Sequence, residues 1–251
     1  MAFPIDKAWL VDRYLTKLDL TGDNGDEYPD AFYTNAIDAA LENAKARFDL
    51  PITTKTVTER LDYNARDWEA WQFLHLSKVP VRSVTAVKYK YGTSAMLDIP
   101  TDWYFLESEM SGQLQMIPNL SSFGTPFIPI MGGMPIWAGP WTPGGMRQLP
   151  GWFEVIYEAG WADEDIPADI LHAISLWAGI EVLNTAGDLI AGAGVASFSI
   201  GVDGIHNSLN TTSSATNSGY GARIIQWEKQ LKEMEPIIRA RYRGSSQWDF
   251  A

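Results

Sequence analysis

Carboxylates placed shortly before one histidine are the residues of this chain whose types and spacing come nearest to catalytic chemistry. The segment WADEDIPAD, residues 161–169, supplies several acids just upstream of His172, as general acid–base catalysis would require. Such a site needs one group that is buried and has a shifted pKa. The simpler interpretation is that the acids stabilise the positive N-terminal end of a helix and that His172, beside Leu171 and Ile174, is a packed or surface residue. We therefore predict no catalytic residue and no enzymatic activity.

A second chemical pattern is the segment GAGVAS, which begins at Gly192 and resembles the start of a dinucleotide-binding fingerprint. The third glycine of that fingerprint would fall at Ser197, and an alternating run follows where a helix should begin. No lysine occupies a phosphate-loop position. We interpret the segment as a glycine hinge after a helix and predict that the chain binds no cofactor.

A third pattern, DNGDEYPD, could gather oxygen ligands for calcium from Asp23, Asn24, Asp26, Glu27 and Asp30. It lacks the order of ligands and the glycine of an EF-hand loop, so loop and helix-capping roles are favoured. The absence of cysteine excludes disulfides and cysteine metal sites, and three histidines leave little for a site made of histidine alone. The prediction is that no metal is bound.

Composition and charge narrow the class of protein further. The chain has 251 residues, 46% of them hydrophobic, which is enough for a packed core. Its net charge of −12 argues against general binding along nucleic-acid backbones, because phosphate contacts require Lys and Arg. No apolar run is long enough to span a bilayer, and the N-terminal segment carries aspartates where a signal peptide would be apolar. We expect no association with a membrane.

The elements that must position these residues change in type along the chain. Apolar residues at helical spacing predict a helix that begins near Pro29 and ends before Pro51. From Thr53 a period near two predicts strands, and helical spacing returns after Trp161, with Gly187 as the expected end of that helix. The predicted fold is α+β. A helical core of residues 1–52 and 161–191 carries an inserted, mainly antiparallel β region over 53–160, an extended arm over 192–220 and a C-terminal helix and tail over 221–251.

The arm and the last helix are interpreted together. Ala196 to Val202 alternate as a short strand would, whereas the polar run from Asp203 to Gly219 is expected to order along a surface. Pro236 is expected to bend or interrupt the helix that follows. From Arg223 to Arg243 there are six basic and three acidic residues, so this part is equipped to meet an acidic partner. The residues predicted to dock on a partner or a neighbouring subunit are Ile224, Trp227, Leu231, Met234, Ile238, Arg239, Arg241, Arg243, Trp248 and Phe250.

A long Pro/Gly-rich loop, about residues 120–150, contains Trp137 and Trp141. Loops of this length that hold apolar rings are normally covered, either by their own domain or by another chain. The alternative is a platform on which sugars stack, which would make the protein a carbohydrate-binding or receptor-binding accessory domain. We predict an interaction loop at these two tryptophans.

Three blocks in order resemble the head-tail connector, or adaptor, proteins of tailed bacteriophages. The first is the alanine-containing helix from Ala36 to Ala46, followed by a strand with TERLDY. The second is LHLSKVPVRSVTAVKYKYG, which continues into DWYFLESEMSGQLQMIP. The third, FEVIYEAGWADEDIPADILHAISLWAG, is similar to the family's strand, glycine turn, proline and alanine-isoleucine helix.

The resemblance implies a non-enzymatic virion protein of the phage neck. It implies a ring, dodecameric in the family, that docks beneath the portal protein, extends the DNA channel and receives the next neck or tail-terminator component. Double-stranded DNA would pass through without sequence-specific binding, and an acidic channel wall would repel its phosphates. The protein would reside in the host cytoplasm during assembly and in the virion afterwards.

Overall fold

The computed structural model describes residues 3–16, 18, 20–21, 26–64, 73–91, 95–116, 130–131, 134–135, 148–191, 197–202, 205–210 and 220–242. The chain divides into two compact units. The helical unit comprises Met1–Asp49 and Asp163–Arg241, and the β unit comprises Leu50–Ala162 and Tyr242–Ala251. The α+β class predicted from the sequence is confirmed. The helix predicted as a separate C-terminal segment belongs, through Arg241, to the helical unit.

Four helices are described in the helical unit. They are α1 (Lys7–Arg13), α2 (Asp30–Phe48), α3 (Ala168–Ala191) and α4 (Gly221–Tyr242). Helix α2 packs on α3, where the ring of Phe48 lies 5.4 Å from that of Trp177. Ala40 and Ala44 are almost fully buried, and small side chains on a helix let its backbone approach a neighbour closely. The α2 prediction is confirmed, and the helix ends at Asp49 in a left-handed conformation with φ of 55°.

Helix α3 does not end at Gly187, as predicted, but continues to Ala191. A glycine inside a helix costs about 1 kcal/mol relative to alanine and does not by itself stop the helix. The strand expected after the hinge is present as β10 (Ser197–Val202). It pairs with β11 (Ile205–Asn210) in an antiparallel hairpin, so part of the run predicted as an arm forms a strand of its own.

Helix α4 runs through Pro236 without interruption to Tyr242, so the predicted interruption is wrong. Proline removes one N–H from the helical ladder, yet tertiary contacts on both sides of it can hold the helix together. Ile224, Leu231 and Ile238 are all buried, and they supply such contacts along the whole length of the helix.

The β unit contains a four-stranded antiparallel sheet in the order β1-β9-β3-β4 and a three-stranded antiparallel sheet in the order β2-β6-β5. A third pair, β7-β8, is also antiparallel. The strands are β1 (Lys55–Asn64), β2 (Phe73–His75), β3 (Val81–Tyr91), β4 (Ala95–Asp98), β5 (Tyr104–Ser108), β6 (Gln113–Met116), β7 (Ile130–Met131), β8 (Met134–Pro135) and β9 (Gln148–Ala159).

One apolar cluster, with residues from both larger sheets, forms the core of the β unit. Val87, Phe153 and Val155 come from the four-stranded sheet, and Leu74 and Leu114 come from the three-stranded sheet. The alternation that predicted these strands arises because successive side chains of a strand point to opposite faces.

A polar interaction closes one side of this core. The buried Tyr157 hydroxyl donates to Glu59 Oε2 at 2.7 Å and accepts from the Lys78 backbone N–H at 3.2 Å. Burial, together with the Glu59 carboxylate, raises the pKa of Tyr157, so the phenol keeps its proton. This contact joins β1, β9 and the turn before β3.

The glycine of the third sequence block occupies a site where no side chain fits. Gly160 has φ of +104°, and a Cβ there would lie 2.4 Å from the Thr53 carbonyl oxygen and 2.7 Å from that of Pro51. Its N–H donates to the Pro80 carbonyl at 2.9 Å. Only glycine adopts this conformation at so little cost, so the AG of the block has a local structural reason.

Among the residues described, no helix is both long and apolar enough to cross a membrane.

Candidate functional site

A polar cleft in the helical unit is the candidate functional site. Its volume is about 390 Å³, and its lining residues are Arg13, Tyr14, Thr16, His172, Leu176, Arg223, Gln226, Trp227 and Gln230. Helices α1, α3 and α4 and the residues just after α1 supply this lining. Among the described residues that line the cleft there is no Asp or Glu, although the chain as a whole carries a net charge of −12.

Helix α1 is capped at its N-terminus and is joined to α3 through Trp9. The Asp6 carboxylate accepts from the Trp9 backbone N–H at 2.7 Å and thereby caps the helix. The Trp9 indole donates to Ser175 Oγ at 3.2 Å, and Ser175, which is fully buried, donates to the Leu171 carbonyl at 2.8 Å. The guanidinium of Arg13 lies 3.5 Å from the centre of the Trp9 ring. Arg13, which lines the cleft, therefore lies over a ring that is itself held by a hydrogen bond to α3.

A tyrosine–histidine pair is part of the lining of the cleft. The Tyr14 hydroxyl and His172 Nδ1 are 2.7 Å apart, and the two rings are 5.6 Å apart at their centres. Burial lowers the pKa of His172, so the imidazole is neutral near pH 7. Its described partner is a phenol and not one of the upstream carboxylates, so the acid–base pair considered for WADEDIPAD does not form.

Arg223, on α4, supplies the second positive charge of the cleft. One of its terminal nitrogens donates to the Tyr14 carbonyl at 3.5 Å, and its guanidinium lies 5.7 Å from the centre of the Trp227 ring. Within the described part of the chain, neither Arg13 nor Arg223 has a carboxylate at ion-pair distance. The cleft therefore presents two guanidinium groups and two side-chain amides, a set of donors that suits an anionic oxygen ligand.

The apolar stripe of α4 is covered by the chain's own helical unit. Ile224 is 0% exposed, Trp227 8%, Leu231 5% and Ile238 1%, and Met234 is half-buried. Trp227 lies so close to α3 that a Cβ added to Gly179 would be 2.7 Å from its ring. In this conformation the stripe is buried within the chain itself, so a partner that bound it would have to displace these contacts, and its role as an interface stays a prediction.

The basic residues near the end of α4 also contact their own unit. Arg239 donates through Nε to the Arg47 carbonyl at 2.6 Å and pairs with Glu235 at 2.8 Å. Arg241 pairs with Asp169 in the first turn of α3 at 2.8 Å. Both arginines remain largely exposed, so they could also take part in an interface.

Other predicted site residues lie outside the described residues. They are Trp137 and Trp141 of the interaction loop and Arg243, Trp248 and Phe250 of the tail. In the segment that was considered for calcium and assigned loop and capping roles, Glu27 and Asp30 pair with Lys7 at 3.5 and 2.8 Å. No group of three or more metal-type ligands occurs among the residues that the structure describes.

The cleft is not apparent from the amino-acid sequence, because its residues are far apart in the chain. Tyr14 and His172 are separated by 158 positions, and Arg223 and Tyr14 by 209. No local motif connects them, and only the packing of three helices brings them together.

No protein-family model matches the chain, and no curated protein sequence does either. Solved structures that are similar to part of it include the following three. A chain described as "Virion of native gene transfer agent (GTA) particle" is 20% identical with a TM-score of 0.44, over 71% of this chain and 79% of that chain. One described as "Neck of empty GTA particle computed with C6 symmetry" is 17% identical with a TM-score of 0.40, over the same shares.

The third, "Neck of native GTA particle computed with C12 symmetry", is 18% identical with a TM-score of 0.37, over 59% of this chain and 68% of that chain. Identities and scores this low carry no conclusion about the function of this chain.

Proposed function

We propose that this protein is a structural component of the neck of a phage-like particle. In this role it forms a ring, dodecameric as in the adaptor family, which docks beneath the portal protein. The ring extends the DNA channel and receives the next neck or tail-terminator component. It is not an enzyme, and double-stranded DNA passes through it without sequence-specific binding.

The proposal rests on the three sequence blocks and on the elements that they form. The first block lies in α2 and β1, the second runs from β2 to β6, and the third covers most of β9, a glycine turn and the first half of α3. The blocks therefore correspond to consecutive elements that form the framework of both units.

The third block is the single observation that carries the proposal. Strand, glycine turn, proline and alanine-isoleucine helix occur together in this block, as in the family. Gly160 and Gly179, the last residue of the block, both stand where a Cβ would collide with neighbouring atoms, so packing favours glycine at both positions.

Localisation in assembled particles tests the proposal. In particles made by the system that encodes this chain, we expect electron micrographs to show a labelled copy at the vertex where head and tail meet. Deletion of the gene should leave filled or empty heads without tails. Tailed particles that assemble normally without this protein, or a label found only on the head surface or at the tail tip, would contradict the proposal.

A further inference from the structure

The polar cleft is a cationic site on an acidic protein. The chain has a net charge of −12, yet the described lining of the cleft contains Arg13 and Arg223 and no acidic residue. Its volume of about 390 Å³ lies within the range of roughly 300 to 1,000 Å³ that is usual for ligand sites. Gln226 and Gln230 add amide donors on the α4 side.

Both guanidinium groups are positioned before any ligand arrives. Arg13 stacks on Trp9, and Arg223 is held between the Tyr14 carbonyl and the Trp227 ring. Side chains that are already ordered lose less entropy when they bind, and a guanidinium can take a carboxylate with two parallel hydrogen bonds. The cleft is thus prepared for a carboxylate group.

An acidic turn in the same unit supplies carboxylates of the required kind. Asp163, Glu164 and Asp165 form a turn before α3, and Glu164 and Asp165 are exposed. Within the described residues the side chains of these three acids have no hydrogen bond and no ion pair, whereas Asp169, six residues after Asp163, is engaged by Arg241. Among the described residues, one patch of positive charge and one of negative charge on each copy therefore lack an ion-pair partner.

We propose that the cleft of one copy binds the acidic turn of the next copy, with Arg13 and Arg223 contacting Glu164 and Asp165. The inference deepens the proposed function, on which it rests, by naming a contact between subunits. Because the two patches differ, each copy is both donor and acceptor, and such a head-to-tail contact can close into a ring. Phosphates of nucleic acid are the competing occupant, and the experiment below separates the two.

Charge reversal of each patch, alone and together, tests the pairing. The cleft variant is Arg13→Glu with Arg223→Glu, the turn variant is Glu164→Lys with Asp165→Lys, and the combined variant restores both the complementarity and the net charge. Sedimentation velocity over a range of concentrations measures self-association. We expect each single-patch variant to associate at least about tenfold more weakly than the unaltered chain, and the combined variant to recover.

Matched controls carry the same change of charge elsewhere. Lys229→Glu with Lys232→Glu matches the cleft variant, and Glu228→Lys with Glu233→Lys matches the turn variant; all four residues are exposed on α4 and none lines the cleft. Both controls should associate like the unaltered chain. Circular dichroism checks folding, and Arg13→Gln with Arg223→Gln replaces the cleft variant if the reversal prevents folding.

Four results would overturn the inference. They are an unaltered chain that stays monomeric, single-patch variants that behave like their controls, a combined variant that does not recover, and binding of a short DNA duplex that the cleft variant abolishes. The particle localisation experiment does not depend on any of these results. Failure of this contact and failure of the neck assignment are therefore distinguishable.

Discussion

Gly160 is the residue at which a single methyl group should have the largest local effect. A Cβ there would meet two backbone carbonyl oxygens, which cannot move aside as the end of a flexible side chain can, and φ is +104°. We expect Gly160→Ala to lower the free energy of unfolding of the β unit by about 3 kcal/mol, from overpacking and backbone strain combined. The midpoint of urea denaturation measures this loss.

Gly151→Ala is the matched control for this substitution. Gly151 also has a positive φ, of +57°, but open space surrounds the position of its Cβ. Only the backbone strain remains there, so the loss should be about 1 kcal/mol. Equal losses at the two positions would show that contact with the carbonyls of Pro51 and Thr53 is not the cause.

His172 makes the stability of the helical unit depend on pH. Burial holds its folded pKa below the ordinary value of 6.5, so the unfolded chain binds the proton more readily. The contribution of the neutral imidazole is complete above the unfolded pKa and is lost as pH falls through the folded one. We expect urea midpoints of the unaltered chain to decrease more between pH 7 and pH 5 than those of His172→Gln.

The difference between these two chains isolates the effect of His172 on stability, because every carboxylate is common to both. An identical pH dependence in both chains would show that His172 titrates alike in the folded and unfolded states. Burial would then have no measurable effect on the pKa of His172.

At the level of elements, the contact between α3 and α4 is defined by one large and one small residue. Trp227 covers Gly179, and a Cβ at that glycine would lie 2.7 Å from the indole ring. We expect Trp227→Ala to cost about 3 to 5 kcal/mol and Gly179→Ala about 1 to 3 kcal/mol of unfolding free energy. Urea denaturation of the two single variants and the double variant completes a double-mutant cycle.

The double variant is the informative one. Without the indole, the methyl group has space, and alanine is favoured over glycine in a helix by about 1 kcal/mol. Gly179→Ala should therefore be neutral or stabilising when Trp227 is already alanine. Losses that simply add would show that the ring and the glycine do not interact as the structure places them.

The apolar pattern of α4 shows what sequence can and cannot reveal about an element. The spacing of Ile224, Trp227 and Leu231 predicts which side of the helix is buried, and these side chains are buried. The same spacing is satisfied by the chain's own unit or by a neighbour, because apolar burial is not directional. Pro236 does not interrupt α4 and Gly187 does not end α3, because local preferences are weak compared with tertiary packing.

For the whole molecule, periodicity was sufficient for the α+β class and for the long elements α2, β1, β3 and β9. Each of these has a clear period and packs within one unit. The candidate site was not predictable, because Arg13 and Arg223 line one cleft only through the packing of helices that are distant in the chain. Nothing in the neighbouring sequence of either arginine marks it as part of a cleft.

The two ends of the segment Leu50–Ala162, which supplies the sheets of the β unit, lie side by side. Lys55, at the start of β1, pairs with Ala159, at the end of β9, and the chain on either side is joined again by the bridge between Thr53 and Trp161. A segment whose ends meet in this way behaves as a transplantable insert: it can be lengthened, shortened or exchanged without changing the path of the chain that hosts it. Diversity in such a protein can therefore accumulate in the insert while the helices that host it are maintained.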